Sequence, residues 1–373
     1  MKTSLKLFLL AALCFVTIHP GIGRAEAKEP VSEVIRSFYR DNGLAGLSVS
    51  IRKENRSVTY THGYGNLETR DKITKESVFR IASVSKLFTT LGILVLKEQS
   101  KLSVGDLLSK YIPDFPYGDR ITIKNMLQHT SGIPDFSVLE PFSSNQAKEW
   151  KPDELVGLLK EYLNSHPLDF DPGTKAVYSN SNFMILGVIV EAASGMAFND
   201  FIAQRVVEPL DMKNTGVGSD TEIVSHRASG YDVQDGKTTN AVFVSVVAPF
   251  ATGDFMSQPM ELAKISKVFT PGVLLSEATI NEMSQLVVLK DGTEWIEHYD
   301  KADFSYGYCW ELIREKGKEE WVYTKSGGIS GFFAYVLFFK SAGVTVAISS
   351  NAQGNFNLLT LGLQIGEAMG VIK

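Results

Sequence analysis

Three short motifs follow one another along the chain: Ser83-Val84-Ser85-Lys86, Tyr178-Ser179-Asn180 and Lys325-Ser326-Gly327. Their residue types could assemble one active site from distant segments. A serine hydroxyl is a weak nucleophile at neutral pH and needs a base beside it. Lys86 sits one helical turn from Ser83, and Tyr178 is a second group able to carry a proton, so no histidine is required. Lys325 would stand on the rim and meet an anionic substrate.

Each motif alone is weak, and local structure has to choose among copies. A Ser-x-x-Lys is expected about once or twice by chance in a chain of this size. It occurs twice, the second time as Ser50-Ile51-Arg52-Lys53. Ser50 lies in the alternating run Leu47–Ile51, and residues three apart on a strand face opposite ways. Ser83 instead opens a segment reaching Gln99, with Leu87, Leu91, Leu94, Val95 and Glu98 at helical spacing, so Ser83 and Lys86 share a face. A helix cap is the plain alternative for Ser83. Tyr-x-Asn occurs at Tyr64, Tyr162 and Tyr178. Tyr162 belongs to an amphipathic helix, Asp153–Asn164, and Tyr64 to a hairpin. Tyr178 follows the turn Asp171-Pro172-Gly173 and precedes a helix starting near Ser181, a position from which a side chain can enter a cleft. Asn180 also suits a helix cap, and Lys325 also suits a buried structural lysine at a strand end.

Composition narrows the class. The chain has 373 residues, 44% of them hydrophobic and 21% charged, which suits a globular protein with a large core in one domain or two lobes. The net charge of -5 and the lack of a long basic run argue against nucleic acid as a partner. Lys2, Lys6, the short apolar run Leu7–Ile18 and the small residues near Ala25 and Ala27 read as a secretory signal peptide over residues 1–27. The expected location is therefore periplasmic or secreted, without stable membrane insertion after cleavage. Cys14 falls in that leader. Cys309 then stands alone and reads as core packing. The six histidines are scattered, with no His-Glu-x-x-His, so neither metal nor cofactor is expected. Gly-x-Ser-x-Gly is missing, which weakens an α/β-hydrolase reading.

The pattern predicts an α/β protein of the α+β type. A first helix leads into a hairpin near Ala45–Arg52 and Ser57–Tyr64. Helices are predicted over Thr122–His129, Asp153–Asn164, Asn182–Ala193, Phe198–Val207, Pro259–Val268 and Ser276–Leu286. Strands return over Phe304–Ile313, Glu320–Thr324, Gly331–Phe339 and Gly343–Ser349, before a last helix from about Phe356 to Met369. Short turns between strands favour antiparallel pairing. Residues 28–373 would form one domain: an antiparallel sheet built from both chain ends (about 28–100 and 301–373) and flanked by helices, with an inserted, mostly helical lobe over about 101–300. Lys325 is expected to end a strand at the sheet edge, and all three motifs to face the cleft between lobes.

On these motifs the chain resembles the serine hydrolases that include class C β-lactamases, D-alanyl-D-alanine peptidases and related esterases. Gly63-Tyr-Gly65, Leu127–Gly132, Gly187–Glu191 and Gly327–Phe332 extend the likeness over nearly all of the chain after the leader. The resemblance implies a β-lactamase/transpeptidase-like fold with Ser83 as the acylated nucleophile and Lys86 as the base or its support. Tyr178 would pass the proton to the leaving group. Asn180, Lys325, Ser326, Gly327 and Gly328 would bind substrate. Lys325 would hold a substrate carboxylate and lower the pKa of Tyr178, and the N–H groups of Ser83 and Gly328 would form the oxyanion hole. Two lysines around a phenol should push each ammonium towards neutrality and favour the phenolate. The residues leave open whether Lys86 or Tyr178 is the first base.

The expected function is thus an exported serine hydrolase forming an acyl-enzyme with β-lactams or D-amino-acid-containing peptides, its substrate bearing a carboxylate. The alternatives are a carboxylesterase on the same scaffold and a non-catalytic sensor of penicillin or cell-wall fragments. Lys-Ser-Gly replaces the threonine usual in class C enzymes.

Overall fold

A computed structural model describes residues 30–372. The predicted leader and Cys14 lie outside the described residues. The main sheet has nine strands: β1 Gly46–Lys53, β2 Arg56–Asn66, β3 Asp71–Lys72, β4 Glu297–His298, β5 Ala302–Tyr306, β6 Glu311–Glu315, β7 Val322–Ile329, β8 Phe332–Phe339 and β9 Val344–Ser350. Their order is β3-β2-β1-β9-β8-β7-β6-β5-β4, and every neighbouring pair is antiparallel. The two chain ends meet where β1 pairs with β9, Ser50 lying opposite Ala347. Ser50 is buried and its hydroxyl hydrogen-bonds that of Thr59 at 2.8 Å, while Lys53 is exposed at the strand end. This serine and lysine do not meet.

The α-helices among the described residues are α1 Val31–Asp41, α2 Ser85–Glu98, α3 Ile123–Leu127, α4 Pro152–Ser165, α5 Asn180–Ser194, α6 Phe198–Ile202, α7 Pro259–Leu262, α8 Glu277–Met283 and α9 Leu358–Met369. The sheet is coated on both faces, and its strand β8, Phe332–Phe339, is accordingly apolar on both sides rather than alternating. Leu337, Phe339, Val346 and Ile348 pack with α1 and α9, whereas Val336, Phe338 and Ala347 join the core built on α2 and α5. Gly362 and Gly366 let α9 lie against the sheet, since a Cβ there would come within 2.3 Å of Leu337 and 2.6 Å of Phe339. No single helix among the described residues is long and apolar enough to cross a membrane.

Three expectations need correcting. The strand foreseen over Phe304–Ile313 is a hairpin, β5 and β6, turning at Gly307–Trp310, where Cys309 adopts φ +67°. Aromatic and apolar residues dominate the segment and Gly307 is its one turn signal, so it reads as a single strand. Lys325 does not end an edge strand. It lies inside β7, between β8 and β6, and is fully buried. The middle of the chain also gives β4 to the main sheet, together with smaller sheets such as the one joining Phe79–Arg80, Phe255–Ser257 and Gly216–Val217.

Candidate active site

The strand Phe79–Arg80 runs into a tight 3-10 turn, Ala82–Val84, and then into α2. Ser83 therefore sits inside the turn and does not cap the helix, whose N-terminus carries no side-chain cap. Ala82, just before it, has φ +46° and is buried. A non-glycine residue in this left-handed region carries strain that the surroundings must hold. They do so through Ser85 Oγ, which donates to Ala82 O at 2.6 Å and accepts from Phe255 N at 3.1 Å, and through Ile81 N donating to Phe255 O at 3.0 Å.

The hydroxyl of Ser83 meets both expected partners. Lys86 Nζ lies 3.0 Å from Ser83 Oγ, and Tyr178 OH donates to that oxygen at 2.8 Å. Lys86 Nζ also donates to the carbonyl of Thr252 at 2.7 Å. Lys86 has no solvent exposure, and no carboxylate among the described residues is hydrogen-bonded to it. Burial, seconded by the charge of Lys325, pushes its ammonium down to about 7. It can thus be neutral near physiological pH.

Tyr178 is half-buried and lies between both lysines, each Nζ 5.2 Å from the ring centroid. His129 follows α3 in a left-handed conformation (φ +57°), and its ring stands 4.6 Å from that of Tyr178. The histidine accepts from Ser179 N at 3.3 Å and is held neutral, chiefly by burial and then by the two lysines. It walls the back of Tyr178. Burial also pushes the phenol well above its ordinary range. The hydrogen bond to Ser83 opposes this, while Glu311 and Asp135 add to it. The resting group is a phenol, which corrects the expected phenolate.

Lys325 differs from the expectation in the same way. Glu311, on the neighbouring β6, places Oε1 2.7 Å from Lys325 Nζ and also accepts from the backbone and hydroxyl of Ser326 at 3.1 and 3.0 Å. Burial alone would lower the pKa of Lys325, but Glu311, with Cys309 and Tyr306 adding to it, makes the net shift upward. Of the two lysines, only Lys86 is driven towards neutrality.

Asn180 is the first residue of α5, whose cap position is Ser179, so the capping alternative does not apply. Its amide nitrogen donates to Asp135 Oδ2 at 2.9 Å, and its oxygen lies 3.4 Å from Tyr178 OH. Gly327 brings β7 against the nucleophile turn: a Cβ there would stand 2.2 Å from Ile81 O and 3.0 Å from Ser83 N. Gly328, the next residue, is half-buried beside the same turn. The structure thus gathers Ser83, Lys86, Tyr178, Asn180 and the Lys325–Gly328 run around one hydroxyl.

Sequence reasoning missed Glu311, Asp135, the Thr252 carbonyl and the ring contact of His129 with Tyr178. Glu311 left a trace, as an acid in the apolar run Trp310–Ile313. A backbone carbonyl such as that of Thr252 leaves none.

The model of the family described as Beta-lactamase matches residues 31–368. The chain belongs to that family. It is 28% identical over 317 residues to penicillin-binding protein 4* of Bacillus subtilis (strain 168), covering 80% of this chain and 67% of the other. Among solved structures it is similar to the D-amino acid amidase from Ochrobactrum anthropi SV3 complexed with D-phenylalanine, with TM-score 0.78, 20% identity and coverage of 91% and 99%. It is also similar to a penicillin binding protein from Bacillus halodurans, with TM-score 0.74, 22% identity and coverage of 90% and 98%. These structures share its fold. Family and site together support a serine hydrolase working through an acyl-enzyme.

Proposed function

We propose that the protein is an exported serine hydrolase that acylates Ser83 with β-lactams or D-amino-acid-containing peptides. The observation that carries this reading is the pairing of Ser83 Oγ with Lys86 Nζ at 3.0 Å, where burial brings the amine near neutrality. Neutral Lys86 takes the Ser83 proton as Oγ attacks the carbonyl carbon. The oxyanion that forms is met by the N–H groups of Ser83 and Gly328, donors of a kind often worth about 3–4 kcal/mol each. Tyr178, still a phenol, gives its proton to the departing nitrogen and is reprotonated through Lys86. Water then hydrolyses the ester by the reverse relay. Asn180, held by Asp135, offers its oxygen to the substrate edge. Class C β-lactamase activity and a periplasmic or secreted location are part of this proposal, and the names of the penicillin-binding and D-amino acid amidase relatives support its substrate class.

A carboxylesterase is the second reading. It is favoured by one observation: Glu311 already balances the charge of Lys325, so the site does not require a substrate carboxylate. Intact mass followed over time with a penicillin, a D-alanyl-D-alanine peptide and a short-chain ester tests both. An adduct of one drug mass that clears with opened drug supports the β-lactamase form, and a lasting adduct with peptide turnover supports the peptidase form. Ester turnover alone, without penicillin adduct, moves the reading to the esterase.

A further inference from the structure

Asp254 is an acid beside Lys86 that the reaction above does not use. It is 1% exposed, and its Oδ1 is buried with no hydrogen-bond partner among the described residues. Burial pushes the carboxyl up to about 7, opposed by the backbone N–H groups of Ala251 and Asp254 and then by Lys86 and Arg80. Arg80 spends its two terminal nitrogens on the carbonyls of Val244 and Ser245, so it does not neutralise Asp254 by direct pairing. An orphaned carboxyl oxygen in a core is costly. A residue kept at that cost is a candidate for function.

Its other oxygen shows the use. Oδ2 accepts the backbone N–H of Ala251 at 3.0 Å and closes the turn Ala251–Asp254, in which Ala251 holds φ +55°. Two successive carbonyls of that turn face α2. Ala251 O accepts from Thr89 Oγ1 at 2.6 Å, and Thr252 O accepts from Lys86 Nζ at 2.7 Å. Past the turn, Phe255 is stitched to Ser85 and Ile81. A neutral amine has one lone pair and two N–H bonds. Fixing one N–H on Thr252 O restricts where the lone pair can point, and Ser83 Oγ lies 3.0 Å away on the same nitrogen.

We propose that Asp254 is a positioning residue for Lys86: by accepting the Ala251 N–H it holds the turn against α2, so that Thr252 O aims the Lys86 lone pair at Ser83. The inference rests on the serine-hydrolase reading of the site.

The test is phosphonylation of Ser83 by a fluorophosphonate probe, read by intact mass. In that reaction the Ser83 Oγ–phosphorus bond forms, the phosphorus–fluorine bond breaks, fluoride leaves and the serine proton goes to Lys86. Maximal rate and half-saturating concentration are measured across about pH 5 to 9 for the wild type, Asp254→Ala and Asp254→Asn. The alanine variant should lose more than about tenfold in maximal rate at unchanged half-saturation, and the acid limb of its pH profile should move. The asparagine variant keeps an oxygen for the Ala251 N–H and should stay within about threefold of wild type. The proposal is overturned if Asp254→Ala labels like wild type with the same pH profile, or if Asp254→Asn is as slow as the alanine variant. Where Asp254→Ala does not fold, the asparagine variant decides alone: a rate near wild type supports the proposal and a tenfold loss overturns it. A wild type that takes no label overturns the serine-hydrolase reading itself, and this inference with it.

Discussion

Glu311 Oε1 and Lys325 Nζ stand 2.7 Å apart inside the sheet, with the lysine side chain wholly out of solvent. The pair turns what would be a rim cation into an internal one. Its charge still reaches Lys86, where it is the second cause, after burial, of the lowered pKa. Removing one partner strands the other. Glu311→Gln should cost about 3–5 kcal/mol in urea unfolding, and the double variant Glu311→Gln/Lys325→Met should recover part of it. An unchanged unfolding midpoint in the single variant would show that the pair is not buried as described.

Ser83→Ala should abolish acylation and lower turnover by about 10⁴-fold or more while leaving the melting temperature near wild type. The residue is half-buried and is not a helix cap, so little packing or capping is lost. Full activity in that variant would remove Ser83 from the mechanism.

The rate should rise with pH through about 7, because the base is neutral Lys86. The stability consequence has its own sign. Lys86 titrates near 10.5 in the unfolded chain and about 7 in the folded one, so between those values the unfolded chain binds the extra proton and stability climbs with pH. Lys86→Met should flatten that climb and be most stabilising at and below about pH 7, by about 1.4 kcal/mol per unit of pKa difference. Denaturant titrations of both proteins from about pH 6 to 10 check it. Parallel curves would contradict the buried-amine picture.

Gly327→Ala should damage activity more than the loss of a flexible glycine would suggest. The added methyl would press on Ile81 O and Ser83 N, both backbone atoms, so β7 or the nucleophile turn has to shift. Overpacking of this kind costs about 1–3 kcal/mol. The acylation rate should fall while substrate affinity changes less, as single-turnover kinetics would reveal.

Much of this site was legible from spacing. The helical period after Ser83 placed Lys86 on its face, and the Asp171-Pro172-Gly173 turn freed Tyr178 to enter the cleft. What escaped was set by tertiary contacts. The depth of Lys325 depends on β6 lying beside β7, and the mostly apolar run of residues 304–313, with Gly307 as its one turn signal, hid the turn that creates β6. The protonation of Tyr178 followed from the same miss, because without Glu311 two free cations seemed to surround the phenol. The helix predicted over Thr122–His129 ends just before His129, but the contact of its ring with Tyr178 requires two segments about fifty residues apart to meet.

The pairing of β1 with β9 has a consequence for time as well as space. The nucleophile belongs to the first quarter of the chain, yet the strand pressed against its turn, β7, is anchored through β8 and β9 to residues near the far end. Pairings of such high sequence separation form slowly. A chain still being made, or one cut before β6, carries Ser83 and Lys86 without Glu311, Lys325 or the Gly328 amide. Reactivity at Ser83 would therefore be one of the last properties the molecule acquires, a built-in delay between synthesis and the first acylation.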